Sequence, residues 1–561
     1  MPANPMQTRA GGFAMKRLAL ALFVAALGVL VLLPLIRIQG LALANGGKGY
    51  VDAFGRPEIW TTIRNTVGLA VGSTALALVF GTLLAWWATQ LSPRLQWLRV
   101  LPVLPIVIPA VASVSGWAFL LSPRPGYINA LLRNLPWWSD LRFGPADIYS
   151  LFWIVAITGF ALSAFVYLFV SSGLKNINSE LLEAARTSGA SAFGVFFQIT
   201  LPLLRPVLVY GGGVALLLGL GQFTAPLLLG TNKGITVLTT DMYFATQNEP
   251  INHAAAAAIG SPLLVFGLLM VFGQKLLLGD QARYITHGGR AFRPAGKPSL
   301  LAAGGIFAYF VFTTLMPLIS LGILSLSPFW SASPKWSAMS LDNFRVALGE
   351  SVIVGAIWNS ITASLIAVAI ALVIGFVVAV VTLRGRRYPV LRMLMDVIVA
   401  LPLGVPAVIF GVGFLLAYST PPLVLYGSKW LIVIVYVTLM LPFTTRMQLS
   451  GMMQLGSAYI EASRVCGANY LKTDLWVTLP LMRSTIGGAA ALMFVLLTHE
   501  FTASVLIRTP RNQVMGTALF DYWGNGGYPV VAAIALIMTA VTAVGVIMAM
   551  LLGGRDALSR M

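Results

Sequence analysis

One cysteine and three histidines in 561 residues leave little room for two kinds of chemistry. A single cysteine closes no internal disulfide, and three histidines supply no spaced set of metal ligands. Charge is scarce too: Asp, Glu, Lys and Arg make up 9% of the chain, against roughly a quarter in soluble proteins. That argues against a water-soluble enzyme. What fills the chain is apolar, 58% of residues, with mean hydropathy +0.87. The charges present are unbalanced, 36 Lys+Arg against 17 Asp+Glu, for a net +19. A nucleic-acid partner would need that excess on one face of a soluble fold. No such fold is legible, and none is expected. The composition describes an all-α integral membrane protein whose solvent is lipid.

A helix needs about 20 mostly apolar residues to cross the hydrocarbon core. Twelve stretches qualify, near 16–38, 62–88, 99–121, 149–174, 204–229, 255–279, 299–327, 352–383, 390–418, 430–448, 482–507 and 527–553. The first follows Lys16-Arg17 and precedes Ala42-Leu43-Ala44, which resembles a signal peptide with its cleavage site. Its apolar run exceeds the roughly 7–15 residues of a signal core, so an uncleaved helix is expected. With both termini cytoplasmic, 23 of the 36 basic residues fall on the inner side. They are densest in the short Leu383–Arg392 loop, as the positive-inside rule predicts. The expected location is the inner (plasma) membrane, crossed many times.

The sequence is written twice. Glu183-Ala184-Ala185, Gly189 and Leu201-Pro202 reappear as Glu461-Ala462-Ser463, Gly467 and Leu479-Pro480, always 278 residues later. Phe223-Thr224-Ala225 and Phe501-Thr502-Ala503 keep that offset. Upstream, Pro105 and Pro109 return as Pro402 and Pro406 at offset 297. The first copy therefore holds extra residues, assigned to Ser122–Ser150, an expected outer loop where Trp137-Trp138 suits the headgroup region. Duplication of this length sets the architecture: two parallel six-helix repeats, 1–279 and 299–561, joined by a polar cytoplasmic linker at 280–298. An inverted repeat would need an odd number of spans per copy.

The repeated segments, 178–202 and 456–480, have a chemistry of their own. Ser179 can cap a helix whose first turns carry Glu180 and Glu183. Ala184 and Ala185 leave a low surface open to close approach, and Gly189 permits a sharp break. Pro202 suits the start of the following span. Two short helices with a bend, on the inner membrane face, form something a cytoplasmic partner can grip.

These segments resemble the EAA loop, Glu-Ala-Ala-x3-Gly-x9-Ile-x-Leu-Pro, of type I importer permeases of the ATP-binding cassette family. The first copy fits throughout, and the second departs at Ser463 and Val477. Asn65-Thr66, Asn359-Ser360 and Leu341-Asp342-Asn343-Phe344 are also typical of such permeases. The resemblance covers nearly the whole chain. It implies that each loop docks as a coupling helix on a separate ATPase subunit, two copies in all, with Glu183 and Glu461 making polar contacts. Gly189 and Gly467 would form the bend. A substrate-binding protein would deliver cargo from outside, and membrane lipid would surround the body. The chain has no Walker A sequence; Gly46-Gly47-Lys48-Gly49 and Gly230-Thr231-Asn232-Lys233-Gly234 lack its spacing. It is therefore expected not to be an enzyme, with no cofactor and no metal site.

Fused twelve-span permeases of this kind look like importers of ferric iron, thiamine or phosphonate, and unfused relatives carry polyamines, sulfate or molybdate. His499-Glu500 through Arg508 resembles a run in ferric-iron permeases, which makes iron the expected cargo. Glu500 and Asp396 are the two carboxylates inside expected spans, where such groups are costly. Glu500 occupies the position of Gln222 in the first copy, and the two are candidates for the translocation path; a helix-bundle hydrogen bond is the plainer alternative. Asp396 is expected to pair with Arg392. A different class, an ion-coupled secondary transporter using Glu500 and Asp396 as proton sites, would leave the duplicated loops unexplained. Cys466 is expected as a small packing residue, His253 and His287 as solvated loop residues, and Gly211-Gly212-Gly213 as a close helix contact.

Overall fold

The computed structural model describes residues 5–175, 177–278, 298–384, 388–456 and 458–553, and among them every regular element is helical. The expected linker therefore lies outside the described residues except for Pro298, and His287 lies outside them too.

In chain order the first repeat gives α1 (Pro5–Phe54), α2 (Ile59–Thr89), α3 (Ala110–Leu121), α4 (Leu151–Lys175), α5 (Ser179–Thr187), α6 (Arg205–Leu220), α7 (Leu238–Gln247) and α8 (His253–Leu278). The second gives α9 (Leu300–Leu326), α10 (Ser351–Arg384), α11 (Pro389–Gly404), α12 (Ala407–Tyr418), α13 (Lys429–Leu455), α14 (Ala458–Val465), α15 (Arg483–Thr498), α16 (Met515–Gly524) and α17 (Tyr528–Gly553). Eight continuous helices are long and apolar enough to cross a membrane, and four bent pairs bring the number to twelve if each pair is one span. Every expected span falls on one of these.

The bends recur in both copies. A 3-10 helix, Pro93–Ile106, meets α3 at 96°, and α11 meets α12 at 111°. Pro109 and Pro406 each stand just before the second limb, and a residue ahead of proline is pushed out of helical geometry. With 12 residues, α3 is about 18 Å long, short of the roughly 30 Å core. The other two bends, 65° and 71°, fall at Leu204 and Met482. Pro202 and Pro480 lie before these breaks, so the spans proper begin a few residues later than the prolines suggest.

The chain forms two compact units that do not follow the repeat boundaries. One comprises Tyr50–Val354 and Ala518–Thr539. Here α2 lies against α4 through glycines: a Cβ on Gly72, Gly81 or Gly159 would stand within 2.8 Å of the facing helix. Gly211 and Gly212 of α6 approach Phe169 and Leu78, as the glycine run suggested. The unit also contains α9, the leading helix of the second repeat. Pro317 of α9 sits on Gly116, Ser320 Oγ donates to the Gly116 carbonyl at 2.9 Å, and Tyr309 bonds to Ser163.

The other unit comprises Met1–Gly49, Gly355–Thr517 and Ala540–Met561. Its packing repeats the pattern with exchanged origins: Pro34 of α1 sits on Gly413 of α12. Val31, Ile38 and Ala42 of α1 are fully buried. Near its end α1 breaks at Ala44–Gly47, where three consecutive residues have positive φ. Gly375 of α10 fits against Thr444 and Gln448 of α13, the counterpart of Gly81 against Val166.

Candidate functional site

The two Glu-Ala elements have the same backbone. In the first, Asn178, rather than Ser179, is the cap: its Oδ1 accepts from the Glu180 N–H at 3.0 Å. After α5 the chain turns at Gly189, φ +89°, with Gly189 N–H bonding to the Arg186 carbonyl and Ala190 N–H to that of Ala185. In the second, Gly467 has φ +87°, with the matching bonds to Arg464 and Ser463. This left-handed closure is the usual glycine end of a helix. A side-chain cap restarts the helix each time, Ser191 in one copy and Asn469 in the other. A π-helical turn follows, Phe196–Thr200 and Asp474–Thr478.

Glu183, Ala184, Glu461 and Ala462 are exposed, as are Gly189 and Gly467; Ala185, Ser463, Leu201 and Leu479 are half-buried. Pro480 is exposed and Pro202 half-buried. An acidic residue and a small one thus stand at the same place on two matched, solvent-facing helices. Cys466 is exposed at the tip of the second turn rather than packed.

What lies beneath the two elements differs. The first rests on a large apolar cluster: Leu182, Val195 and Leu204 are buried among Leu98, Leu101 and Leu174. Phe196 packs on Trp86 with ring centroids 4.8 Å apart. Beneath the second, Asp474 forms a bidentate pair with Arg384 at the end of α10, at 2.7 and 2.8 Å.

Gln222 and Glu500 are both half-buried, and each is engaged within its own unit. Glu500 accepts from the N–H groups of Ala503 and Ser504 at 2.7 and 3.0 Å and from Ser504 Oγ at 2.6 Å. Ser504 Oγ in turn lies 3.0 Å from the Tyr436 hydroxyl. Gln222 Nε2 donates to Thr158 Oγ1 at 3.2 Å, and its Oε1 accepts from Phe223 N–H. Both side chains cap the turn that follows them. Asp396 is paired, but with Arg446 at 3.1 Å instead of Arg392, because Arg446 comes from the neighbouring α13. His253 is the first residue of α8, not a loop residue.

A further duplicated contact was recognisable only as a motif. Asn65 Nδ2 donates to the Thr236 carbonyl and Asn359 Nδ2 to that of Gln513, at 3.1 and 2.9 Å. Thr66 Oγ1 accepts from Leu238 N–H and Ser360 Oγ from Met515 N–H, both at 2.9 Å. Each Asn-Thr/Ser pair fastens the start of α7 or α16 to a long span. The recurrence of the dipeptide was the available signal; its partners, more than 150 residues away, were not readable.

The duplication extends to a family-level match. The family described as "Binding-protein-dependent transport system inner membrane component" matches residues 77–280 and, a second time, 371–555. The chain belongs to this family. It is thus a multi-pass inner-membrane permease of a binding-protein-dependent importer of the ATP-binding cassette class, and not itself an enzyme. A ferric transport system permease protein FbpB of Actinobacillus pleuropneumoniae is 25% identical over 509 residues, covering 88% of this chain and 71% of the relative. A Fe(3+)-transport system permease protein FbpB 2 of Haemophilus influenzae is 24% identical, covering 92% and 95%. A sulfate transport system permease protein CysT of Escherichia coli is 26% identical over 46% of this chain and 90% of its own length. In the crystal structure of a bacterial alginate ABC transporter in complex with alginate pentasaccharide-bound periplasmic protein, one chain is 21% identical. That alignment covers 50% of this chain and 98% of the other, with TM-score 0.40.

Proposed function

We propose that this permease carries ferric iron inward, driven by two copies of a cytoplasmic ATPase that grip α5 and α14. The observation that carries the docking assignment is the pair of exposed Glu-Ala helices, each ended by the same positive-φ glycine. Two equivalent grips on one chain call for two ATPase copies. Glu183 and Glu461 stand where a cationic partner side chain can reach them, and Ala184 and Ala462 leave room for close approach. Both termini are cytoplasmic in this reading, which places the two elements on the inner face. Gln222 and Glu500 serve the translocation path by holding the turns that shape it. Iron as cargo is supported by relatives matched along most of the chain; the sulfate permease matches less than half of it.

The test is reconstitution into liposomes with the ATPase and binding protein that co-purify with the chain. Ferric iron uptake that requires ATP is expected. Sulfate uptake in its place would overturn the cargo, and uptake driven by a proton gradient without any ATPase would overturn the whole reading. Replacing Glu183 and Glu461 together by lysine should abolish ATPase association on a sizing column; unchanged association would contradict the docking assignment.

A further inference from the structure

The same backbone is fastened in two unlike ways. Position by position at offset 278, the polar residues beneath the second element face apolar ones in the first. Asp474 stands for Phe196, Thr473 for Val195, Tyr470 for Ala192 and Ser463 for Ala185. These four residues connect α14 to α10. Arg464, in the last turn of α14, holds its guanidinium 4.2 Å from the centre of the Tyr470 ring. Arg384 lies 5.9 Å from the centre of the same ring, and it grips Asp474 through both carboxylate oxygens. Ser463 and Thr473 add a hydroxyl contact at 3.0 Å. The pair is well shielded, with side-chain exposures of 24% for Arg384 and 10% for Asp474. Bidentate guanidinium pairs of this kind fix geometry as well as adding energy.

Among the described residues no apolar side chain of 458–478 is buried, so apolar packing does not duplicate this fastening. The buried cluster beneath the second element comprises Ala379, Met452 and Met482, and no residue of 458–478 belongs to it. Tyr459, Ile460 and Val477 of the element line a small cleft with Leu383, Met452 and Leu455.

We infer that Arg384 and Asp474 are positioning residues that tie the second coupling element to the end of α10, so that a buried ion pair fastens this element where an apolar core fastens the first. The inference rests on the docking assignment above for its functional meaning, though not for its structural content. An ATPase pulling on α14 would move α10 through a directional, polar link. Pulling on α5 would move α2 through a broad apolar contact. The two halves of the permease would then respond unequally to the same nucleotide cycle.

Cys466 is the sole cysteine of the chain and sits two residues beyond Arg464, so the natural protein accepts a single spin label there. In full-length permease in lipid nanodiscs without ATPase, the wild-type label is expected to show an immobilised component. Asp474→Asn and Arg384→Gln should each lose that component, and the combined variant should lose no more than either alone. The exchanged pair, Arg384→Asp with Asp474→Arg, should restore it. Trp86→Ala, under the other element, should leave it unchanged. Gly375→Ala destabilises the same unit at a distance and should lower Tm without freeing the label, which separates local release from general loosening. An immobilised component that survives Asp474→Asn, or losses that add in the combined variant, would overturn the proposal. A failed docking assignment shows differently: added ATPase would leave the wild-type label unaffected, while the response to Asp474→Asn stayed intact.

Discussion

At the scale of single residues, most of the chemistry resides in caps and turns. Gly189 and Gly467 have φ near +90°, where a Cβ meets the backbone, and replacement by alanine should cost about 1 kcal/mol each. Neither glycine has a neighbour within 4 Å of a built Cβ, so the penalty is conformational and should appear as a lowered Tm without a change in helix content. Glu500 makes three hydrogen bonds that tie Ala503 and Ser504 to the end of α15. Glu500→Gln preserves shape but turns one acceptor oxygen into a donor NH2 group. An amide retains acceptor capacity on only one oxygen, so about 1–2 kcal/mol of stability should be lost. ATP-driven uptake should persist in Glu500→Gln if the residue shapes the path, whereas a charge presented directly to cargo would make uptake collapse. Ser504→Ala, which removes the hydroxyl link to Tyr436, should weaken the same turn by a smaller amount.

At the scale of elements, the duplicated close contacts decide packing. Gly81→Val and Gly375→Val drive a branched side chain into Val166 and into Thr444 with Gln448, and each should destabilise by about 1–3 kcal/mol. Asn65→Ala and Asn359→Ala each unfasten a short helix from a long span, with a loss of about 1 kcal/mol, readable as lowered thermal stability in detergent. The sequence made the long spans legible because about 20 apolar residues in a row have few other uses. It made the Glu-Ala elements legible because their spacing occurs twice. Bends were less readable: the stretches at 99–121 and 390–418 have the length of straight helices, and their prolines gave only a local hint. The cap of α5 lies one residue before the expected Ser179, since Asn and Ser carry the same capping chemistry. Partners of charged residues were the hardest. Arg392 is the near neighbour of Asp396 in sequence, but Arg446 reaches it from α13.

At the scale of the molecule, repeats and compact units divide the chain differently, because the leading helix of each repeat packs in the unit built on the other. Gly116 receives Pro317, and Gly413 receives Pro34. Sequence periodicity records duplication and carries no information on such an exchange. It follows that 1–279 and 299–561, expressed as separate chains, should be unstable alone and assemble when co-expressed, as measured by membrane yield and co-purification. The exposed elements of this duplicated body differ in what lies beneath them, an apolar cluster in one case and an ion pair in the other. If these elements are the cytoplasmic grips of an ATPase, Cys466 reports on the contact directly. In inverted membrane vesicles a membrane-impermeant maleimide should label Cys466, the ATPase should protect it, and Glu461→Lys should remove the protection. Labelling only from the opposite face, or no protection by the ATPase, would contradict the account.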